Sequence, residues 1–355
     1  MNRFPVSRLL FYIFIIVFWI GTIFLFLYSP LLINTIRKQE SINILVWPQV
    51  LDAQYLKEFE KKTGIKVNVS YFEYNEELLA KLKLVEQHDY DLIMPSDFAV
   101  KLLIKEGLLK KIDHTELNFW EQIYPTLLGH YFDPGNEYTV PFYWTTIGLG
   151  VDRNYFNGLP IASWSLIFDE LHAPKHIAVF DGSRELPSIA AQYLFGSIRG
   201  IDERKLLAIK ELLIKQKSWV ELYTDSRSEY ILASQTCPVV IAYGSDLVKV
   251  MRQFDNLDFL IPKEGGFVTI DSFAIPAATK KEKLIYQFLN YLYDPIILAQ
   301  YVNKFDFFPP TMAVVMDEKF KKMSVPTEEL FKKLHFFTSV IPENKLNDLW
   351  VAIKS

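Results

Sequence analysis

From residue 42 onward, short apolar runs suited to buried strands take turns with amphipathic stretches of helical length. Residues 42–46 (INILV) are a continuous apolar run, as a parallel strand covered on both faces requires. Residues 51–63 carry apolar side chains at helical spacing and stop at Gly64, which lacks the Cβ that penalises the left-handed residue after a helix. Residues 66–71 (KVNVSY) alternate like a strand, and residues 75–84 read as a helix with Glu77 in its first turn, where negative charge suits the helix dipole. Residues 91–94 form the next strand, and Ser96 is placed to cap a helix running towards Glu106. Strands separated by such helices are βαβ units with a mostly parallel sheet, so the expected class is α/β.

A second set of elements follows the Asp133-Pro134-Gly135-Asn136 turn. The pattern predicts a long strand over 139–151, a short helix starting at Ser163-Trp164, and strands over 176–180, 239–242, 257–261 and 270–275. Helices are expected over 205–215, 281–293 and 295–303. At 355 residues the chain is long enough for two domains, yet no Gly/Ser/Pro-rich linker divides it. Two lobes without a linker imply segments that cross between them more than once.

The first 40 residues make a membrane segment. Arg3 and Arg8 precede a stretch without charge from 9 to 36, and Arg37 and Lys38 follow it. Its densest part, 9–27, is 19 residues long, which at about 1.5 Å per residue spans a hydrocarbon core of about 30 Å. A cleavable signal has a shorter apolar region and a small-residue cleavage site; here Tyr28-Ser29-Pro30 follows instead. An uncleaved signal-anchor is expected, with cleavage at an atypical site as the alternative. Basic residues flank both ends, so they orient it only weakly.

Several chemistries are excluded or unsupported. Thirty-eight basic against 42 acidic residues give a net charge of −4 and no general footprint for nucleic acid. The single cysteine, Cys237, excludes an intramolecular disulfide and any CxxC site. The sequence holds no phosphate-binding P-loop, HExxH, GxSxG or GxGxxG. His88, His114, His130, His172, His176 and His335 form no compact ligand spacing, and Pro174 breaks any helix shared by His172 and His176. No catalytic residue, metal site or cofactor is expected.

What remains is a set of aromatic and acidic residues at the carboxyl ends of predicted strands, where open α/β sheets bind ligands. It comprises Trp47, Ser96-Asp97-Phe98, Tyr143-Trp144, 181–185, Tyr243-Gly244-Ser245-Asp246 and Asp271. Singly, a Trp is more often core and an Asp after a strand more often a helix cap. Together they suit a flexible organic cation: carboxylates for ammonium groups, ring faces for methylenes and cation–π contacts.

At these residues the chain resembles the periplasmic spermidine/putrescine-binding proteins of ABC transporters, over about residues 42–310. The resemblance is carried by Phe59-Glu60-Lys61-Lys62-Thr63-Gly64-Ile65-Lys66-Val67, by Tyr90-Asp91-Leu92-Ile93-Met94-Pro95-Ser96 and by Phe288-Leu289-Asn290-Tyr291-Leu292. Most specific is Ile261-Pro262-Lys263-Glu264-Gly265-Gly266 followed by Asp271-Ser272-Phe273-Ala274-Ile275-Pro276. The resemblance implies a type II periplasmic-binding-protein fold: two α/β lobes, crossing near 145–148 and 269–272, that close on a ligand by hinge motion. Lobe 1 would hold 41–145 and 270–312, lobe 2 146–269 and 313–355.

The resemblance further implies a site. Trp47 matches the first-strand aromatic lying along the polyamine, Ser96 the Pro-Ser hydroxyl, and Phe98 a position often filled by Tyr. Glu185 matches the acid of an Asp-x-Arg-Glu loop in which Gly182 replaces the Asp, and Asp181 stands one position earlier. Tyr243 falls where Trp is usual, Asp246 resembles the acid of the putrescine-type variant, and Asp271 matches the carboxylate that holds an amine. Thr269 stands in place of a large aromatic wall, and Phe307 in place of a C-terminal Tyr. The implied function is a periplasmic receptor, monomeric and tethered to the inner membrane, delivering polyamine to an ABC permease. A different small cationic solute on the same scaffold, or a degenerate sensor or interaction protein, is the alternative; ferric ion is disfavoured, because no paired tyrosines with a histidine are evident.

Overall fold

The computed structural model describes residues 6–36, 39–84, 89–224, 227–338 and 343–355. Their strands are β1 (Ser41–Val46), β2 (Lys66–Tyr71), β3 (Leu92–Ile93), β4 (Thr139–Asp152), β5 (Ile177–Phe180), β6 (Val220–Thr224), β7 (Val239–Tyr243), β8 (Leu257–Leu260), β9 (Gly266–Ala274) and β10 (Leu334–His335). They join in the order β2-β1-β3-β9-β4-β7-β5-β6, with β8 on β4 and β10 on β9.

Two parallel units stand at the ends of this order. β1 pairs parallel with β2 and β3, and β5 pairs parallel with β6 and β7. The long strands β4 and β9 join the halves as an antiparallel pair, with Thr145 opposite Thr269 and Thr146 opposite Val268. The two segments expected to cross are therefore direct neighbours.

The pleat of β4 shows how the layers divide. Val140, Phe142 and Trp144 enter one core, while Ile147, Leu149 and Val151 enter another, as a period of two demands. The first core also holds Phe59 of helix Ala53–Thr63, Phe288 of Glu282–Leu292, Tyr301 of Pro295–Phe305 and Leu247 of Gly244–Met251. It runs beneath both halves. The opposite face is covered in two patches. One, around Leu45, Phe72, Leu78 and Leu103, lies under helices Asn75–Leu84 and Asp97–Lys105. The other, around Ile189, Ile209, Leu349 and Ile353, lies under Glu185–Phe195, Glu203–Gln216 and Glu343–Lys354. The cover is interrupted between these patches, and a cleft opens there.

Local signals explain the element ends. The Asp52 carboxylate accepts from the Gln54 N–H at 2.7 Å, and Gly64, at φ 78°, donates its N–H to the Glu60 carbonyl, as an N-cap and a left-handed C-cap should. The Pro-Lys-Glu-Gly-Gly segment is an architectural clamp. Glu264 accepts from the Ser163 hydroxyl at 2.6 Å and the Trp164 N–H at 3.1 Å, and the Trp164 indole donates to the Gly265 carbonyl at 2.8 Å.

Two expectations need correction. Ser96 stands at the N-cap of helix Asp97–Lys105 but makes no side-chain cap bond; its hydroxyl bonds Asp271 instead. β9 starts at Gly266, ahead of the predicted 270–275, because pairing with β4 and β10 extends it through residues that read locally as a turn.

Helix Val6–Ile36 carries the apolar stretch. Among the described residues it is the helix long and apolar enough to cross a membrane, and no residue of its span Leu10–Tyr28 is buried. Of the bases expected to flank it, Arg3, Arg37 and Lys38 lie outside the described residues, as does His88.

Candidate functional site

The cleft has a volume of about 530 Å³, within the range of small-molecule sites. It opens at the carboxyl ends of β1, β3, β5 and β7. Five of the eight site residues read from the sequence line it directly: Trp47, Ser96, Phe98, Glu185 and Tyr243. Trp47 leans on Phe72, with ring centroids 4.3 Å apart, and Tyr243 stacks on Phe180 at 5.2 Å. Thr269 lines the cleft without filling it as an aromatic ring would.

The strongest acid candidates lie one layer deeper. Asp271 is 8% exposed and sits in β9 opposite Tyr143 of β4, bridged on its other side to Ser96. One carboxylate oxygen, Oδ1, has no hydrogen-bond partner among the described residues. Burial, together with the charge of Asp97, pushes its pKa up to about 7 against the pull of the Ser96 hydroxyl. Asp246, half-buried in the first turn of helix Gly244–Met251, is likewise raised to about 7 by burial and by nearby Glu229. Tyr143 connects the two. Its hydroxyl lies 2.6 Å from the Ser245 Oγ, and burial plus the charges of Asp246 and Asp271 keep it neutral.

Asp97, part of the Ser-Asp-Phe triplet, stands in the first turn of helix Asp97–Lys105. It lines the cleft while its carboxylate accepts from the Tyr131 hydroxyl at 2.9 Å and the Ile270 N–H at 3.3 Å. Burial lifts its pKa to about 6, held there by these bonds and the Arg184 charge. It is a satisfied acid, unlike Asp271. Tyr143 was noted beside Trp144, and the structure separates the pair: Trp144 is wholly buried and bonds the Pro309 carbonyl at 3.1 Å.

Phe307 lies outside the lining. It is buried in the core behind Tyr143, 5.9 Å between centroids. Asp181 lines the rim but forms an ion pair with Lys354 at 2.7 Å, which ties it to the C-terminal helix. Gly182 has a positive reason to lack a side chain: the space a Cβ would fill there is taken by the Glu185 carboxylate. An Asp at 182 would displace that carboxylate.

A buried carboxylate with an oxygen that no described residue bonds, close beneath the cleft's aromatic rings, would be stabilised by a cation reaching it. Desolvating an ion costs several kcal/mol unless an opposite charge meets it, and the described residues form no ion pair with Asp271. We expect Trp47→Ala to lower affinity for such a cation by about 1–3 kcal/mol through lost methylene packing and cation–π attraction. Isothermal titration checks this; a variant as tight as wild type removes Trp47 from the site.

Comparison with known proteins agrees with this architecture. A profile described as bacterial extracellular solute-binding protein matches residues 54–327. The spermidine/putrescine-binding periplasmic protein of Escherichia coli is 30% identical over 272 residues, covering 75% of this chain and 76% of that protein. A putrescine-binding periplasmic protein of Pseudomonas aeruginosa is 28% identical over 337 residues, covering 88% and 92%. The solved spermidine/putrescine ABC transporter substrate-binding protein of Streptococcus pneumoniae superposes with a TM-score of 0.78 at 23% identity, covering 89% and 98%, which establishes the shared fold. This chain therefore belongs to the bacterial extracellular solute-binding proteins, a family that binds solutes rather than transforming them.

Proposed function

We propose that the chain is the substrate-binding component of an ABC importer that captures a polyamine of the putrescine/spermidine class and delivers it to the permease. The observation that carries this reading is Asp271, buried at the junction of the halves with one carboxylate oxygen unpartnered among the described residues. Asp271 would hold one ammonium and Asp246 or Glu185 another, with Trp47 and Tyr243 against the methylenes and Phe307 supporting Tyr143 from behind. Lobes of 41–145 with 270–312 and of 146–269 with 313–355 would close around it by bending at the paired β4 and β9 segments.

The same proposal places the body in the periplasm as a monomer, tethered to the inner membrane by helix Val6–Ile36. Its apolar length and exposed span support this. Mass spectrometry of the mature N-terminus tests the tether: an intact first residue agrees, and a start near Ser29 or Ser41 contradicts it. Thermal unfolding across a panel of diamines, triamines, cationic amino acids and ferric ion tests the ligand. Binding to the native state raises stability by RT ln(1 + [L]/Kd), so putrescine or spermidine should give the largest shift. A larger shift with another solute, or none at all, contradicts the polyamine reading.

A further inference from the structure

Arg184 stands in the cleft where a cationic ligand would compete with it. Among the described lining residues it is the sole base, against Glu73, Glu76, Asp97, Asp181 and Glu185. It is carried by the segment after β5, in one half, yet its contacts belong to the other. Its guanidinium carbon lies 3.7 Å from the centroid of the Phe98 ring, and its Nη2 is 3.6 Å from the Glu76 carboxylate. The side chain is 17% exposed, and its Nε is buried with no partner among the described residues. The Arg184 backbone is held in place, since its carbonyl accepts the Ser188 hydroxyl at 2.6 Å.

A guanidinium over a ring face and beside carboxylates makes the contacts that a ligand ammonium would make. Asp97 is close enough to Asp271 to raise it, and Tyr143 feels both Asp271 and Asp246. The Arg184 charge acts on Asp97 in turn. We propose that Arg184 is an interlobe latch and a length gauge: it holds the halves together across the empty cleft and occupies the subsite of Phe98, Asp97 and Glu76, so that the open acids fit a short diamine better than a longer triamine. The gauge rests on the polyamine reading above; the latch does not.

The test uses the full chain in detergent. Titration with putrescine and spermidine is run on wild type, Arg184→Ala, Arg184→Lys and Glu76→Gln. The last changes an exposed partner, 57% accessible, and so tests the contact without removing Arg184. Freed of Arg184, the subsite should accept a third ammonium. The spermidine-to-putrescine affinity ratio should rise at least tenfold in Arg184→Ala, rise less in Glu76→Gln and stay near wild type in Arg184→Lys, which keeps the charge. The latch is read separately, from spin labels at Lys61→Cys and Glu211→Cys on exposed helix positions of the two halves. Without ligand the distance should lengthen in Arg184→Ala. An unchanged ratio in a wild type that binds amines overturns the gauge and leaves the polyamine reading standing. A wild type that binds neither amine overturns the polyamine reading and the gauge with it, and an unchanged label distance overturns the latch in either case.

Discussion

Asp271→Asn is expected to weaken polyamine binding more than any other single change, by about 3–5 kcal/mol, the cost of removing one partner from a buried charge pair. That is a loss of two to three and a half powers of ten. The substitution keeps the shape and an acceptor for Ser96, so the loss reports charge. Fold stability should hardly change below pH 4, where the acid is neutral folded and unfolded alike, and should rise in the variant towards neutral pH, where burial opposes the ionised acid. Asp246→Asn and Glu185→Gln should each cost less, since one acid covers partly for the other. Titration with putrescine and spermidine decides, and an Asp271→Asn variant as tight as wild type removes Asp271 from the site.

Proton linkage should make the stability of the free protein and its affinity for an amine respond to pH in opposite directions. Asp271 and Asp246 sit at about 7 in the folded, empty protein against an ordinary value of 3.8. Between pH 4 and 7 the folded state thus binds more protons at these two acids than the unfolded chain does. Their contribution to stability is full below pH 4 and is lost as pH rises to 7. A cationic ligand needs the ionised forms, so its affinity should rise over the same window. At pH 5.5 each acid that must lose a proton lowers affinity by about 30-fold relative to pH 8, and the two together by up to about a thousandfold. Thermal unfolding of the empty protein, compared with Asp271→Asn, and titration with putrescine from pH 5.5 to 8 measure the two trends. Affinity that is flat across the range contradicts the role given to these acids.

Much of the frame was legible because local and global preferences agree in it. The INILV run, the Gly64 cap and the long 139–151 strand each signal their element without help from distant residues. Helix Glu185–Phe195 and helix Gly244–Met251 were missed for a physical reason. One carries Pro187 in its first turn and the other begins at Gly244, and both residues read locally as breaks, although proline is tolerated in a first turn. Strand β6 (Val220–Thr224) alternates poorly because it edges the sheet and is half exposed.

The site divides the same way. Trp47, Ser96, Phe98, Glu185 and Tyr243 follow strand ends, and strand ends face the cleft. Which acid is open and which is satisfied depends on residues far away in sequence. Tyr131 and Ile270 satisfy Asp97, Lys354 takes Asp181, and nothing among the described residues takes Asp271 Oδ1. No spacing in the chain announces those pairings. Arg184 was read as part of a loop motif, and its reach across the cleft to Phe98 exists only once the halves are placed.

The central claim is that the cleft exchanges protons held by buried acids for the charges of an amine. Calorimetric titration of the full chain with putrescine at pH 6.5, repeated in two buffers of different ionisation enthalpy, measures that exchange directly. The account predicts binding with release of about one and a half protons per amine bound, falling to about three quarters of a proton in Asp271→Asn wherever binding survives. Binding with no proton release, or no binding of putrescine or spermidine at any pH from 6.5 to 8, would contradict it.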